Sequence, residues 1–148
     1  MISKESLKFL EDLKKNNNRD WFLANKDRYE SYKKEYLAIV TEALETLKPK
    51  DSSLAMLEPK KCQFRINRVI RFSKDKSPYK THLGMWFSGA NVSGGNAPGY
   101  YIHIEKGASF IAAGFYNPEA HELKKIRKEI AFFHEDLEKI TGDKKFKA

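Results

Sequence analysis

Apolar residues recur every three or four positions in the first third of the chain, the spacing of helices that bury one face. Ser3 is placed to cap a first helix whose apolar stripe is Leu7, Leu10 and Leu13. The 16–18 asparagine run ends it, and Asp20 or Asn25 caps the next helix. A long amphipathic helix then runs to about Lys48, with its stripe at Tyr29, Tyr32, Tyr36, Val40, Ala43 or Leu44, and Leu47.

The period changes to two in the middle of the chain, which is typical of strands with one buried face. Four strands are predicted, over residues 64–72, 81–88, 100–105 and 109–116. Arg68 interrupts the apolar face of the first strand, so it is either buried against a carboxylate or turned outward by a bulge. Residues 89–99 form a loop rich in Gly, Asn and Ser that could close over a site.

A helical pattern returns near the end of the chain. Asn117 and Pro118 are suited to the start of a helix, and Gly142 to its end. The order of elements predicts an α+β fold with N-terminal helices, a mostly antiparallel sheet of about four strands, and a C-terminal helix packed on one sheet face. At 148 residues, we expect a single α+β domain over residues 1–148.

Composition narrows the class of protein. Cys62 is the single cysteine, so it cannot form an internal disulfide and a reducing compartment is expected. No apolar run approaches the roughly 20 residues that a membrane-spanning helix needs. The N-terminus lacks the apolar core of a signal peptide. We therefore expect a cytoplasmic protein that does not bind membranes.

Positive charge is concentrated in one segment, residues 49–82, which we call the basic segment. It holds nine Lys or Arg and three acidic residues, and so carries +6 of the formal net charge of +8. Such a concentration attracts anions. Forked and charged donors match the paired oxygens of phosphate and carboxylate groups. The residues expected to bind the anion are Arg65, Arg71, Lys76, Tyr79, Lys80 and His82.

The second faces of the predicted strands combine polar and aromatic side chains. They carry Arg65, Asn67 and Arg71 from the first strand, His82 and Trp86 from the second, and Tyr101, His103 and Glu105 from the third. A solvated sheet face is also normally polar. The aromatic residues and histidines favour a functional cleft, although they could equally pack against another segment or subunit.

Catalysis and metal binding are further hypotheses for this face. His103 with Glu105 or Tyr101 could act as a general acid or base, whereas a histidine hydrogen-bonded to its sheet neighbours is the structural alternative. Together with His82 these residues could hold a metal, but two histidines without a third strong ligand favour the prediction of no metal and no cofactor. Two lysines before Cys62 could lower its pKa, although a lone strand cysteine is more often inert.

The expected partner is an anionic small molecule or single-stranded nucleic acid. Basic and aromatic residues interleave from Arg65 to Lys80, as in strands that bind single-stranded nucleic acid. The strand pattern of RNA-recognition domains is absent. The alternatives are a small-molecule enzyme that uses His103, Glu105 and Tyr101, and a non-catalytic module that docks an acidic protein.

Three segments resemble the uncharacterised family catalogued as domain of unknown function 2461. They are residues 64–68 (FRINR), 71–82 (RFSKDKSPYKTH) and 99–103 (GYYIH). The resemblance implies a soluble, mainly bacterial protein with no established activity, and it assigns no catalytic residues. Val69 stands where family members usually have an acidic residue. Family members are also usually longer, so we expect this chain to lack the family's C-terminal part.

Overall fold

The computed structural model describes residues 2–89 and 97–147. Helix α1 spans Lys4–Lys15, and the Ser3 side chain accepts a hydrogen bond of 3.0 Å from the Ser6 backbone N–H. The predicted cap and the predicted end at the asparagine run are therefore confirmed. The loop predicted over residues 89–99 lies mostly outside the described residues.

Two further helices come after α1. Helix α2 spans Arg19–Ala24 and is capped by Asn18, whose side chain accepts from the Trp21 N–H at 2.9 Å. Helix α3 spans Lys26–Leu47, which confirms the predicted long helix. Of the two predicted caps of that helix, Asn25 lies at the N-cap position, although its side chain makes no capping hydrogen bond, whereas Asp20 lies inside α2.

The core lies between these helices and the first strand. Two short 3₁₀ helices, Ser52–Leu54 and Pro59–Lys61, precede strand β1 at Leu83–Phe87. Alternate β1 side chains are fully buried, as the period of two predicts. The buried cluster comprises Phe9, Leu10, Leu13, Tyr32, Tyr36, Val40, Leu44, Leu54, Leu57, Cys62, Leu83, Met85 and Phe87.

The sheet is antiparallel, and over the described residues it has three strands in the order β1-β2-β3. Strand β2 spans Gly99–Ile104 and β3 spans Phe110–Gly114. Gly84 is paired with His103, and His103 with Phe110. The α+β class is confirmed, but the prediction of about four strands is wrong.

The missing strand is the one predicted over residues 64–72, and a shift in pairing explains its absence. Phe64 N–H donates to the Gly84 carbonyl, whereas the next backbone bond joins Lys80 N–H to the Ile66 carbonyl at 2.8 Å. Between these two bonds the chain advances two residues from Phe64 to Ile66, but four residues from Lys80 to Gly84. Two extra residues therefore bulge out of the pairing between Lys80 and Gly84. The ladder is thereby reduced to isolated bridges, and the segment continues as an irregular hairpin.

Residues 116–148 form a second compact unit, separate from residues 1–115. The single predicted helix is two, α4 at Ala120–Phe132 and α5 at His134–Gly142, which ends at the predicted glycine. A short helix, α6, follows at Lys144–Lys147. Phe133 leaves helical geometry, with φ −126° and ψ 41°. Asn117 has φ 50° and precedes α4 by three residues, so it is not the predicted cap. Packing of a C-terminal helix on the sheet stays a prediction.

Helix length and hydropathy bear on membrane insertion. None of the helices in the described ranges is both long enough and apolar enough to cross a bilayer.

Candidate functional site

Two histidines meet on the sheet face that points away from the buried core. His82 precedes β1 and His103 lies on the neighbouring strand β2. Their rings stack with centroids 4.3 Å apart, and the His103 ring also stacks on Phe110 of β3 at 5.0 Å. We call His82, Tyr101, His103 and Glu105 the histidine face. The sequence correctly predicted that these four side chains share one side of the sheet.

A chain of hydrogen bonds crosses the histidine face. The Tyr101 hydroxyl lies 3.0 Å from His103 Nδ1, and His103 Nε2 lies 3.3 Å from Glu105 Oε2. Glu105 Oε1 accepts from Lys14 Nζ at 2.9 Å, and this bond is the main reason that the pKa of Glu105 is lowered. Lys14 belongs to the last turn of α1, 91 residues away, and no local sequence signal identified it.

Gly84 leaves room for Tyr101 to lie across β1. A Cβ at this position would stand 2.9 Å from the Tyr101 hydroxyl and 3.2 Å from the Phe64 ring. Those two rings contact each other edge to face, at 6.3 Å between centroids. The missing side chain of Gly84 therefore permits the position from which Tyr101 reaches His103.

Tyr36 supports the same place from the core side. Its buried hydroxyl donates to the Gly84 carbonyl and accepts from the Phe64 N–H at 3.1 Å. Burial raises the pKa of Tyr36 to about 12. One side chain from α3 thus forms hydrogen bonds with backbone groups of both Phe64 and Gly84, the two residues that lie under Tyr101.

The sheet end of the basic segment lies beside the histidine face. Lys80 Nζ donates to the Arg65 carbonyl at 2.8 Å and lies 5.2 Å from the centroid of the Phe64 ring. Partial burial, followed by the charge of Arg65, lowers the pKa of Lys80. The pKa of His82 is lowered first by burial and then by His103, with smaller effects from Lys80 and Arg68.

The other predicted anion-binding residues are spread along the hairpin. Lys76 Nζ donates to the Ile70 carbonyl at 3.1 Å. The Tyr79 ring stacks on Phe22 at 4.1 Å. Within the described residues, the exposed guanidinium groups of Arg65 and Arg71 form no hydrogen bond or ion pair. Arg71 lies at the turn of the hairpin, so it is farther along the hairpin from the sheet than Lys80.

Asn17, just after α1, holds the backbone of Tyr79 from both sides. Its amide nitrogen donates to the Tyr79 carbonyl at 2.9 Å, and its amide oxygen accepts from the Tyr79 N–H at 3.0 Å. In the sequence this asparagine indicates only the end of a helix. Its second role depends on a contact across 62 residues.

Arg68 is partly buried and forms an ion pair with Asp75, and it also donates to the Ser77 carbonyl at 3.2 Å. Of the two alternatives for Arg68, pairing with a carboxylate is therefore observed. Hydrogen bonds from Ser77, together with Arg68, hold the pKa of Asp75 well below its usual range.

Cys62 is buried, and burial raises the pKa of its thiol to about 11. The suggested lowering by two adjacent lysines is wrong, because burial dominates the pKa of the thiol and the smaller opposing effect comes from Lys48. A high pKa and burial describe an inert cysteine.

A cavity and a cluster of metal-ligating side chains are the two places near the histidine face where a ligand could bind. A cavity of about 250 Å³ adjoins the histidine face and is lined by Leu7, Leu10, Glu11, Lys14, Lys15, Thr81, Glu105 and Lys106. His82, His103 and Glu105 each offer one ligand atom, and these atoms lie within 4.8 Å of one another. Among the described residues, these three form a group that could hold a metal.

These features define an α+β protein with a basic hairpin beside a polar, histidine-containing sheet face. The chain belongs to the family described as conserved hypothetical protein (DUF2461), which matches residues 5–148. No curated protein matches the chain, and no solved structure does. The resemblance in the sequence is therefore confirmed, and it brings no activity with it.

Proposed function

We propose that the sheet end of the basic segment binds a small anionic ligand that carries a phosphate or carboxylate group. The bound group lies against Lys80, Arg65 and His82. The observation that carries this proposal is the partly buried Lys80 ammonium beside the histidine face. A cation that is partly removed from water attracts an anion more strongly than an exposed one does.

The charges at this point repel one another in the free protein. The charge of Arg65 lowers the pKa of Lys80, and the charge of Lys80 contributes to the lowered pKa of His82. An anion between them relieves that repulsion. Lys80 uses one of its three N–H donors on the Arg65 carbonyl, so two remain for a ligand.

A small ligand fits better than a nucleic acid because several cations of the basic segment already have partners. They are Lys61 with Glu58, Arg68 with Asp75, and Lys76 with the Ile70 carbonyl. A polyanion needs many free cations in a row, whereas one phosphate or carboxylate needs two or three.

A phosphate titration followed by NMR tests the proposal, with chelator present to remove metal ions. We expect the backbone amides of Arg65, Lys80 and His82 to shift together and saturably. Lys80→Met keeps the apolar stem and removes the charge, and it should weaken binding at least tenfold. Lys60→Met is the matched control, because Lys60 is an exposed lysine of the same segment, and it should bind like the parent.

Two results contradict the proposal. Equal losses in the two variants would mean that phosphate senses only the net charge of the segment. Saturable shifts centred on the hairpin turn at Arg71 would place the anion elsewhere.

A second candidate function is general acid–base catalysis on the bound ligand by His103. The hydrogen-bond chain through Tyr101, His103 and Glu105 favours it, because such a chain fixes the orientation and the tautomer of an imidazole. A panel of phosphate and carboxylate esters, assayed with the parent and with His103→Gln, tests this candidate. Turnover that survives in the variant rules it out.

A further inference from the structure

We propose that His82, His103 and Glu105 bind one divalent transition-metal ion, at a site that shares His82 with the proposed anion site. Two imidazoles and one carboxylate form the ligand set of many zinc and non-haem iron centres, which keep further positions open for water or substrate. Magnesium and calcium prefer oxygen ligands, so this set selects against them.

The distances are close to those a metal requires. Bonds of about 2.0–2.2 Å to a tetrahedral ion place neighbouring ligand atoms roughly 3.3–3.6 Å apart. His103 Nε2 and Glu105 Oε2 are 3.3 Å apart, within that range. The full set, with His82 included, lies within 4.8 Å. Ligation therefore requires the His82 ring to leave its stacking contact with His103 and to rotate until its nitrogen closes the remaining gap.

The outward atoms of the ligands are already held by other groups. Tyr101 lies at Nδ1 of His103, so Nε2 is the nitrogen that faces the site. Lys14 occupies Oε1 of Glu105 and leaves Oε2 facing His103. Metal ligands are usually oriented by such outer hydrogen bonds. With a metal on Nε2 of His103, Nδ1 carries the proton, and the Nδ1–H group donates a hydrogen bond to the Tyr101 oxygen.

His82 is the ligand whose ring nitrogens are free of hydrogen bonds in the part of the chain that the structure describes, although its ring stacks on His103. Its ring is only partly accessible, and within the described residues its nitrogens make no hydrogen bond. A partly buried imidazole whose nitrogens have no such partner, beside a carboxylate and a second imidazole, is suited to ligate an ion.

Zinc titration by calorimetry tests the proposal on the full chain, in a buffer free of phosphate and after treatment with chelator. We expect one Zn²⁺ per chain. His103→Gln and His82→Gln should abolish binding, and Tyr101→Phe should weaken it about 10–100-fold. His121→Gln is the matched control, because His121 lies between Glu119 and Glu122 on the surface and is the natural competitor. It should bind like the parent.

A measurement on the unmodified protein guards against variants that do not fold. Histidine ring ¹⁵N resonances should show zinc on Nε2 of His103 and protonation of its Nδ1. The proposal is overturned if the parent binds no zinc, if zinc moves only the rings of His121 or His134, or if His121→Gln alone abolishes binding. Because the phosphate titration is run without metal and the zinc titration without phosphate, each proposal fails separately.

Discussion

At the scale of single residues, Tyr36 makes the most demanding contact. Its hydroxyl is buried between two backbone segments and serves one as a donor and the other as an acceptor. Tyr36→Phe keeps the ring and leaves the Phe64 N–H and the Gly84 carbonyl with only the long hydrogen bond of 3.4 Å between them. We expect a loss of about 1–3 kcal/mol in the free energy of unfolding, measured with urea. Tyr116→Phe, at an exposed tyrosine, is the control and should be neutral.

The same hydroxyl predicts how stability changes at alkaline pH. Tyr36 has a pKa of about 12 in the folded protein, against 10.0 ordinarily, so the folded state holds this proton more tightly. Its contribution is fully present below about pH 10 and is lost as pH rises toward 12. Urea unfolding at intervals from pH 9 to 12 should therefore show a steeper decline in the parent than in Tyr36→Phe. Parallel curves would contradict the assignment.

At the scale of elements, the irregular hairpin depends on Arg68. Arg68→Met keeps most of the stem and loses the ion pair and the bond to Ser77, whereas Arg68→Ala also loses the packing of the stem. Asp75 is 59% exposed, so water solvates it when its partner is removed. We expect Met to be nearly neutral and Ala to cost about 1 kcal/mol more, the order of one or two buried methylene groups.

Urea midpoints for the two variants decide the point, with Asp75→Asn as the control for loss of the pair alone. If Arg68→Met and Arg68→Ala unfold alike, the stem contributes no packing and Arg68 acts only through its charge.

Elements with a regular period were predicted well, and those that depend on register were not. Leu83, Met85 and Phe87 alternate strictly, so their strand and its buried face follow from a period of two. The segment after Gln63 alternates as clearly, but its partner strand bulges by two residues before Gly84, and no local pattern encodes that offset. The break at Phe133 likewise lacks a glycine or proline to announce it.

The candidate site divides in the same way. The residues of the histidine face were predicted because alternation alone places them on one side of a sheet. Lys14 and Asn17 were not, because each reaches the site from the end of a distant helix. Long-range contacts of this kind depend on how elements pack, which a single sequence does not display.

At the scale of the whole molecule, the distribution of charge separates a small ligand from a nucleic acid. Each phosphate contact on a single strand contributes about −0.7 to the log–log slope of affinity against salt. Engagement of most of the basic segment would give a slope of roughly −3 to −5. Because several of its cations have partners, we expect no detectable binding of a single-stranded oligonucleotide, even at low salt.

Fluorescence of Trp86, on the same side of the sheet as His82, offers a readout for that titration. Phosphate binding serves as the positive control and should show a shallow dependence on salt. Oligonucleotide binding with the steep slope would replace the small ligand with a nucleic acid as the partner.

The end of α1 contacts both halves of the proposed site. Lys14 holds the carboxylate of Glu105, and three residues later Asn17 holds the backbone of Tyr79, the neighbour of Lys80. The end of this helix therefore fixes the distance between an acidic edge at Glu105 and a basic edge at Lys80. A rigid-body shift of α1 that keeps these contacts moves both edges together and leaves the gap between them unchanged. In the proposed site, the length of ligand that fits between the two edges is thus set by a helix that need not contact the ligand.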